Sequence, residues 1–178
     1  NEDTKAISSD ISEMEEMIDG YLAFAAGEGD EAPQELAVNE LLNRLVTQAQ
    51  KSHKFDITLS PVKDEIPAFP MRRNAIQRAF SNIISNAIRY STKTIVAIRM
   101  RNDEVIITFD DNGAGIPQER RADAIRPFIR LEESRNRLTG GAGLGLSITS
   151  DVILSHGGEL TLGDSPLGGL RVAIKLPV

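Results

Sequence analysis

The positions of its glycines constrain this 178-residue chain more than any other feature of the sequence. Six of the 14 glycines fall in two clusters, within residues 113–115 and 140–145. The first cluster follows a strand-like run that ends at Asp110-Asp111, and the second leads into a helix-like run that opens at Leu144. A flat ring can approach backbone that carries no side chains, and the amides at a helix N-terminus favour anions. Together the clusters indicate a nucleotide site, with a base pocket at one end and a phosphate cradle at the other.

Each glycine cluster taken alone is a weak signal, because most short glycine-rich stretches are turns. The chain has no Gly-Lys-Ser/Thr run, which excludes a P-loop. The run Gly141-Ala-Gly-Leu-Gly145 departs from the Gly-x-Gly-x-x-Gly pattern of dinucleotide-binding folds, and no parallel strand–turn–helix unit precedes it. The nucleotide hypothesis therefore depends on the rest of the chain.

Two asparagines on one predicted helix supply a third element. The apolar spacing predicts a helix over 71–90, with Asn82 and Asn86 on one face, flanked by Arg78 and Arg89. Asparagine is a poor residue for a helix interior, so a pair on one face requires an explanation. An amide oxygen suits Mg²⁺, and an arginine suits phosphate. The alternative is a pair of solvent-exposed or helix-bending asparagines, which would be the better interpretation without the glycine clusters.

Charge divides the chain into two parts. Residues 1–40 contain 12 of the 26 acidic residues and one of the 20 basic residues, so the remainder is net basic. With no cysteine and two histidines, disulfides and cysteine-based metal sites are excluded, and a histidine-rich metal site is implausible. No apolar run approaches the roughly 20 residues needed to cross a bilayer. The formal net charge of −6 argues against nucleic acid as the main partner.

The acidic N-terminal part has the pattern of a bundle helix. Its apolar residues recur at alternating spacings of four and three, which is a heptad seam. Glycines stop this helix, and residues 27–33 are typical of a linker. We expect residues 1–26 to pair with another helix; the alternative is an amphipathic helix that packs on its own domain. The seam consists of Ile7, Ile11, Met14, Ile18, Tyr21 and Ala25.

The remaining chain, residues 34–178, alternates helices with paired strands. Prolines at positions 61, 67 and 70 confine one segment to loop and edge strand. Such runs indicate an α/β fold, a two-layer α/β sandwich with a mixed or antiparallel sheet. Helices are predicted over 39–51, 71–90 and 144–154, and strands over 35–38, 55–59, 94–101, 104–110, 159–162 and 170–176.

Four ordered motifs resemble those of one family. Asn82-Ile-Ile-Ser-Asn86-Ala-Ile-Arg-Tyr90 resembles the asparagine box of sensor histidine kinases, and Asp111-Asn-Gly113-Ala-Gly115-Ile-Pro resembles their first glycine box. Pro127-Phe128-Ile-Arg130-Leu resembles their phenylalanine box, and Gly141-Ala-Gly143-Leu-Gly145 resembles their second glycine box. The chain over residues 34–178 is therefore similar to the catalytic ATP-binding domain of the GHKL superfamily, most of all to the EnvZ-like branch. The resemblance implies the Bergerat fold, with three main helices, preceded by an amphipathic bundle helix.

The resemblance implies which residues surround Mg²⁺ and the phosphates of ATP. Asn86 would coordinate Mg²⁺, Asn82 would support the phosphate and metal side, and Arg89 would contact phosphates. Phe128 and Arg130 would belong to a mobile lid, with Arg130 a candidate contact of the γ-phosphate. Phosphoryl transfer needs positioning and charge neutralisation more than covalent groups, which agrees with this division. The phosphate oxygens would be held by Gly141, Gly143, Leu144 and Gly145.

The resemblance also implies a base pocket. Asp111 would accept the exocyclic amine of adenine, while Tyr90 would lie beside the adenine or the ribose. Asp110 is one residue out of register with the motif, so we expect it only to end its strand. The pocket would be lined by Gly113, Gly115 and Ile116.

The histidine that accepts the phosphoryl group in this family is missing from the chain. The family carries it in a His-Glu/Asp-x-x-x-Pro box on the first helix of a two-helix dimerisation hairpin, and no such box occurs here. The resemblance makes residues 1–26 the second helix of that hairpin, so we expect the chain to begin between the two helices. His53 lacks the acidic neighbour, and His156 follows a helix at a position where an imidazole meets carbonyl groups. Neither is expected to be a phosphoacceptor.

By resemblance the chain is an enzyme domain, the catalytic domain of a two-component sensor histidine kinase, with ATP and Mg²⁺ as ligands. It would position the γ-phosphate for a histidine outside this sequence, and the phosphoryl group would pass on to an aspartate of a response-regulator receiver domain. The parent protein would be a homodimer through the hairpin, with this part in the cytoplasm and the sensor in a bacterial membrane. Two alternatives stay open: a kinase-like scaffold that pairs through residues 1–26 without turning over ATP, and a GHKL ATPase or serine kinase.

Overall fold

The computed structural model describes residues 31–127, 129 and 144–178. The predictions for residues 1–26, Phe128, Arg130, Gly141 and Gly143 lie outside these ranges. The strands are β1 (Gln34–Leu36), β2 (Asp56–Leu59), β3 (Phe69–Met71), β4 (Lys93–Arg101), β5 (Glu104–Asp111), β6 (Glu159–Asp164) and β7 (Leu170–Pro177). The helices are α1 (Val38–His53), α2 (Arg73–Tyr90), α3 (Arg121–Ala124) and α4 (Gly145–Ser155), with a 3₁₀ turn, Gln118–Arg120, before α3. None of these helices is long and apolar enough to cross a membrane.

Five strands form one mixed sheet in the order β2-β4-β5-β7-β6. β2 runs parallel to β4, and every other neighbouring pair is antiparallel. β4 and β5 are joined by a tight turn in which Asn102 has a φ of 54°, a conformation that asparagine tolerates. β5 therefore lies at the centre of the sheet, with Asp111 at its C-terminal end. The prediction of a mixed sheet is confirmed.

The helices pack on one face of this sheet to form the two-layer α/β sandwich that the sequence predicts. Alternate residues of β4 are buried, because a strand points successive side chains to opposite faces. Val96 of β4 pairs with Phe109 of β5, and both are almost fully buried. Phe109 also packs against Phe80 of α2, with ring centroids 5.9 Å apart. α2 contacts both α1 and α4, which completes the expected set of three main helices.

The chain enters this domain through a small antiparallel sheet of β1 and β3. Pro70 lies in β3, where it pairs with Glu35, so the predicted edge strand is confirmed. Met71 belongs to the same strand and is buried. For this reason α2 begins at Arg73, two residues later than the apolar spacing predicts.

A carboxylate from the predicted linker caps the N-terminus of α2. Arg72 supplies no side-chain cap at this end. Instead, the two oxygens of Glu31 accept hydrogen bonds from the backbone amides of Asn74 and Ala75, at 2.8 Å and 3.3 Å. A negative charge here satisfies free amides and also interacts favourably with the helix dipole. The contact joins residue 31 to the folded domain.

Replacing Phe109 by alanine should lower the free energy of unfolding by about 3–5 kcal/mol, because it leaves a cavity beside Phe80 at the centre of the sandwich. Urea denaturation followed by circular dichroism measures the loss. The control is Leu154→Ala, because that side chain is 60% exposed and its removal should cost less than about 0.5 kcal/mol. Equal losses in the two variants would contradict this placement of the core.

Candidate functional site

Asp111 is held at the end of β5 by backbone amides from two other parts of the chain. Its Oδ1 accepts hydrogen bonds from the amide of Gly113, at 2.8 Å, and from the amide of Leu170 in β7, at 2.9 Å. Its backbone carbonyl accepts a further bond from the amide of Gly169, at 3.2 Å. Oδ2 is left without a partner among the described residues. This second oxygen can therefore accept a hydrogen bond from a ligand.

Two glycines let the backbone close around this carboxylate. A Cβ built on Gly169 would overlap Oδ1 of Asp111, and a Cβ built on Gly113 would overlap the carbonyl oxygen of Tyr90. Gly115 lies directly against Gly169. The loop after β5 and the turn before β7 therefore meet around Asp111 with no side chain between them.

Thr94 of β4 is a polar neighbour of Asp111 on the helix-facing side of the sheet. The two residues pair across β4 and β5, so their side chains lie on the same face. Thr94 is fully buried, and its Oγ1 has no hydrogen-bond partner among the described residues. Buried polar atoms are rarely left in this state. The hydroxyl is thus a second polar group beside Asp111, and an internal water can satisfy it.

The second glycine cluster ends where α4 meets the asparagine face of α2. α4 begins at Gly145 with no capping side chain and no acidic residue in its first turn, so neither occupies its first amides. Asn82 Nδ2 donates a hydrogen bond to the carbonyl oxygen of Gly145, at 3.3 Å. A Cβ built on Gly145 would lie 3.7 Å from Nδ2 and 3.8 Å from Oδ1 of Asn86. Both asparagines therefore lie beside the N-terminus of α4.

A buried hydroxyl between the two helices keeps them in this arrangement. Thr149 of α4 is fully buried, and its Oγ1 lies 2.7 Å from the carbonyl oxygen of Gly145 and 3.3 Å from that of Ala79 in α2. The shorter contact is the main hydrogen bond, because a hydroxyl has one hydrogen to donate. The close approach of α2 and α4 at this point sets the position of Asn82 and Asn86 against the start of α4.

The other predicted ligand residues within the described ranges lie around the same region. Arg89 and Tyr90 end α2, and both are exposed. The carbonyl oxygen of Tyr90 borders Gly113, which places this end of α2 beside the loop after β5. Ile116 and Leu144 are half-buried, the first in that loop and the second directly before α4.

Asp110 does more than end its strand, so the expectation from the motif register is wrong. It is 6% exposed and accepts two hydrogen bonds from the guanidinium of Arg171 in β7, at 2.6 Å and 2.8 Å. The hydrogen bond with Asp110 raises the pKa of Arg171, and Coulombic attraction adds to this rise while partial burial opposes it. Successive strand residues point to opposite faces. Asp110 is therefore paired with Arg171 on one face of the sheet, and the carboxylate of Asp111 lies on the other face, where a ligand can reach it.

The two histidines differ in their surroundings. His156 has Nδ1 at 2.7 Å from the carbonyl oxygen of Val152, and its Nε2 accepts a hydrogen bond from the amide of Arg72 at 3.0 Å. The ring proton is therefore on Nδ1, and both nitrogens are occupied. His53 is the last residue of α1 and is exposed.

Several residues of this site have no motif of their own. Leu170 and Gly169 contribute backbone atoms, which a sequence pattern does not mark, although the pair Gly168-Gly169 does signal a turn. Thr94 and Thr149 look like ordinary strand and helix residues in the sequence. Their role follows from burial, which only the fold reveals.

The fold and the site belong to a known family. The chain is a member of the family described as Histidine kinase-, DNA gyrase B-, and HSP90-like ATPase, whose model matches residues 71–178. This range includes the asparagine face of α2, Asp111 and the start of α4. The resemblance to the catalytic domains of sensor histidine kinases is confirmed, and the closer likeness to the EnvZ-like branch stays a prediction.

Individual relatives agree with this assignment. Sensor histidine kinase CpxA of Escherichia coli (strain K12) is 33% identical over 100% of this chain and 40% of its own length. Sensor protein RstB of the same organism is 31% identical over 99% of this chain and 42% of its own length. The crystal structure of the ATP-binding domain of PrrB from Mycobacterium tuberculosis has a TM-score of 0.65 and 27% identity, covering 83% of this chain and 97% of that one. The chain thus spans about 40% of the length of these curated relatives.

Replacing Gly169 by alanine should destabilise the domain by about 3 kcal/mol, because the new Cβ would overlap Oδ1 of Asp111. Thermal unfolding monitored by circular dichroism measures the effect. The control is Gly163→Ala, because a Cβ there would be no closer than 4.0 Å to the side chain of Arg171. The close approach of the turn to Asp111 would be refuted if Gly169→Ala melted at the temperature of the parent chain.

Proposed function

We propose that this chain binds Mg-ATP as the catalytic domain of a sensor histidine kinase and positions the γ-phosphate for transfer to a histidine on other sequence. One observation carries the proposal: Asp111 lies at one end of α2 as a fixed carboxylate, with one oxygen that has no partner among the described residues. The start of α4, where Leu144 provides no cap, lies against Asn82 and Asn86 on the same helix. The first arrangement suits a purine amine, and the second suits phosphate.

At the base end, the structure supports recognition of adenine. Oδ1 of Asp111 is fixed by two amides, which sets the direction of Oδ2. A carboxylate oxygen accepts hydrogen bonds and donates none, so it favours the exocyclic amine of adenine over the carbonyl oxygen of guanine. Thr94 supplies a nearby hydroxyl, and Gly113 and Gly169 keep side chains out of the approach. At the edges of this region, Tyr90 and Ile116 are proposed to contact the adenine ring or the ribose.

At the phosphate end, the residues present fit a magnesium–polyphosphate group. The first amides of α4 have no capping side chain among the described residues and suit phosphate oxygens, and Asn86 provides a neutral oxygen ligand. The described residues contain no group of three or more His, Asp or Glu that could hold a metal ion by themselves. Mg²⁺ is commonly bound by few protein ligands together with phosphates, which suits this site. When bound, the ion would neutralise phosphate charge, and Arg89 stands exposed at the end of α2 as a further candidate contact.

The histidine that accepts the phosphoryl group is proposed to lie outside this chain. Both ring nitrogens of His156 are occupied by backbone groups, and His53 is the exposed last residue of α1. In this proposal the domain supplies ATP and position, a histidine supplies the nucleophile, and a response-regulator receiver domain takes the phosphoryl group onward. The same proposal includes a homodimer through a helical hairpin and a cytoplasmic position below a membrane-bound sensor.

Asp111→Asn should weaken ATP and adenosine by the same factor, about 10- to 100-fold, because an amide nitrogen can replace the free acceptor of the pocket. Asn86→Ala should weaken ATP about tenfold in the presence of Mg²⁺ and leave adenosine unchanged, because the lost ligand lies at the phosphate end. Isothermal titration calorimetry of each ligand, with and without Mg²⁺, measures both effects. Asp110→Asn is the matched control, because that carboxylate pairs with Arg171. If the parent chain bound no ATP, or if all variants bound it equally, the proposal would fail.

The chain should incorporate no acid-labile phosphate from radiolabelled ATP by itself, and it should label an added hairpin that carries a His-Glu-x-x-x-Pro box. The reason is that both ring nitrogens of His156 are bound by backbone groups, and that His53 lacks the acidic neighbour of the family's His box. The labelled residue is identified by acid stability and mass spectrometry. A hairpin with the box histidine replaced by alanine is the control. Labelling of serine in a partner protein would instead favour a serine kinase, and strong labelling of His53 would show that the acceptor lies within this chain.

A further inference from the structure

Arg121 joins two segments that border the base pocket. It is the first residue of α3, and its side chain is only 17% exposed. Its Nε donates a hydrogen bond to the carbonyl oxygen of Ile116, at 2.9 Å, and its Nη2 donates to Oδ1 of Asp164. Ile116 belongs to the loop after β5, and Asp164 is the last residue of β6. One guanidinium therefore connects that loop to the strand on the edge of the sheet.

The loop after β5 has few other attachments. The side chain of Asn112 accepts hydrogen bonds from the amides of Thr92 and Lys93, and the amide of Gly113 is bound to Asp111. For the backbone of residues 114–116, the hydrogen bond within the described structure is the one from Arg121. Among the described residues, Arg121 is thus the side chain that hydrogen-bonds to the backbone in the far half of this loop.

Asp164 stands directly before the turn that brings Gly169 onto Asp111. Within this turn, the amide of Ser165 donates to the carbonyl oxygen of Gly169, and the amide of Gly168 donates to that of Ser165, both at 2.9 Å. Arg121 consequently ties the start of this turn to the loop on the other side of Asp111. Arg121 therefore adds a further link between the two flanks of the carboxylate, which Oδ1 of Asp111 also joins through the amides of Gly113 and Leu170.

The charge of Arg121 is already paired with Asp164. This residue therefore differs from an arginine that contacts phosphate. Asp164 and the Ile116 carbonyl occupy Nη2 and Nε, and the stem is largely covered. A planar guanidinium can bond to two acceptors in fixed directions, which a lysine ammonium does not reproduce. We propose that Arg121 is a positioning residue for the nucleotide base: it fixes the loop and the turn around Asp111 and does not contact the phosphates. This proposal rests on the proposed function.

The test uses Arg121→Ala and Arg121→Lys, titrated with adenosine, ADP and Mg-ATP. Arg121→Ala should weaken all three ligands by a common factor of about ten, because the shape of the base pocket is what changes. Arg121→Lys should fall between this variant and the parent chain. Lys175→Ala is the matched control, because it breaks the ion pair with Glu159 at the opposite end of β6 and should leave all three affinities unchanged.

The pattern across ligands decides the result. A loss confined to ADP and ATP would make Arg121 a phosphate contact and overturn the proposal. A lower melting temperature with unchanged affinities would leave only a structural role and overturn it equally. Asp164→Ala should weaken binding less than Arg121→Ala, and the double variant should be no weaker than Arg121→Ala, because Asp164 acts through Arg121. Additive losses would contradict this coupling.

Hydrogen exchange without nucleotide tests the same contact independently of the proposed function. In Arg121→Ala, the amides of residues 113–116, 165 and 167–169 should exchange about tenfold faster than in the parent chain, because local opening becomes easier. Amides of β4 should be unchanged. Unchanged exchange in both segments would overturn the proposal even if ATP binds. Absence of ATP binding by the parent chain would overturn the proposed function and leave this measurement to decide the role of Arg121.

Discussion

The hydrogen bonds to Oδ1 of Asp111 connect the parts of this domain that have to meet for a ligand site to exist. Asp111 ends the central strand, Gly113 belongs to the following loop, and Leu170 opens the neighbouring strand. A carboxylate that accepts two backbone amides satisfies those amides and fixes its own orientation at once. The fold thereby makes a rigid hydrogen-bond acceptor from groups that would otherwise need water. The glycines around Asp111 allow the backbone to come this close, because they have no Cβ.

The cap, the core contact and the asparagines of the site all lie along α2. Glu31 caps its N-terminus, Phe80 anchors its middle in the core, and Asn82 and Asn86 lie next to α4. Its last carbonyl group, on Tyr90, borders the loop that follows Asp111. Because a helix is stiff, the cap, the core contact and the two ends of the site cannot move independently. The asparagines cost some helix propensity, and burial of the apolar stripe offsets this cost.

Much of this arrangement could be predicted from the sequence, and the omissions have physical reasons. Helix and strand periodicity located the main elements, since burial on one face imposes a regular spacing. The apolar spacing alone places Met71 in α2, because an apolar residue fits both the helical and the strand period. Its pairing with β1 makes it part of a strand instead. The contacts of Asp110 with Arg171 and of Arg121 with Asp164 join residues that are distant in sequence. No local pattern marks such pairs, and the motif register alone predicts that Asp110 only ends its strand.

The close contact of the Gly169 backbone with Asp111 is equally invisible in the sequence. A glycine pair such as Gly168-Gly169 announces a turn, but it does not say which distant group the turn will touch. The roles given to the site residues rest on the family resemblance, and they stay predictions. Thr94 illustrates the remaining limit, because its importance lies in a buried oxygen that has no partner among the described residues.

His156 has a consequence for selectivity. Under the proposed function, a domain that supplies phosphoryl groups to imidazole must keep its own imidazoles from competing as substrates. In His156 one ring nitrogen is engaged by the carbonyl of Val152 and the other by the amide of Arg72, which joins the end of α4 to the start of α2. Any reaction there would first have to break a contact between two helices. The fold thus blocks this side chain as a protecting group blocks a reactive position in synthesis.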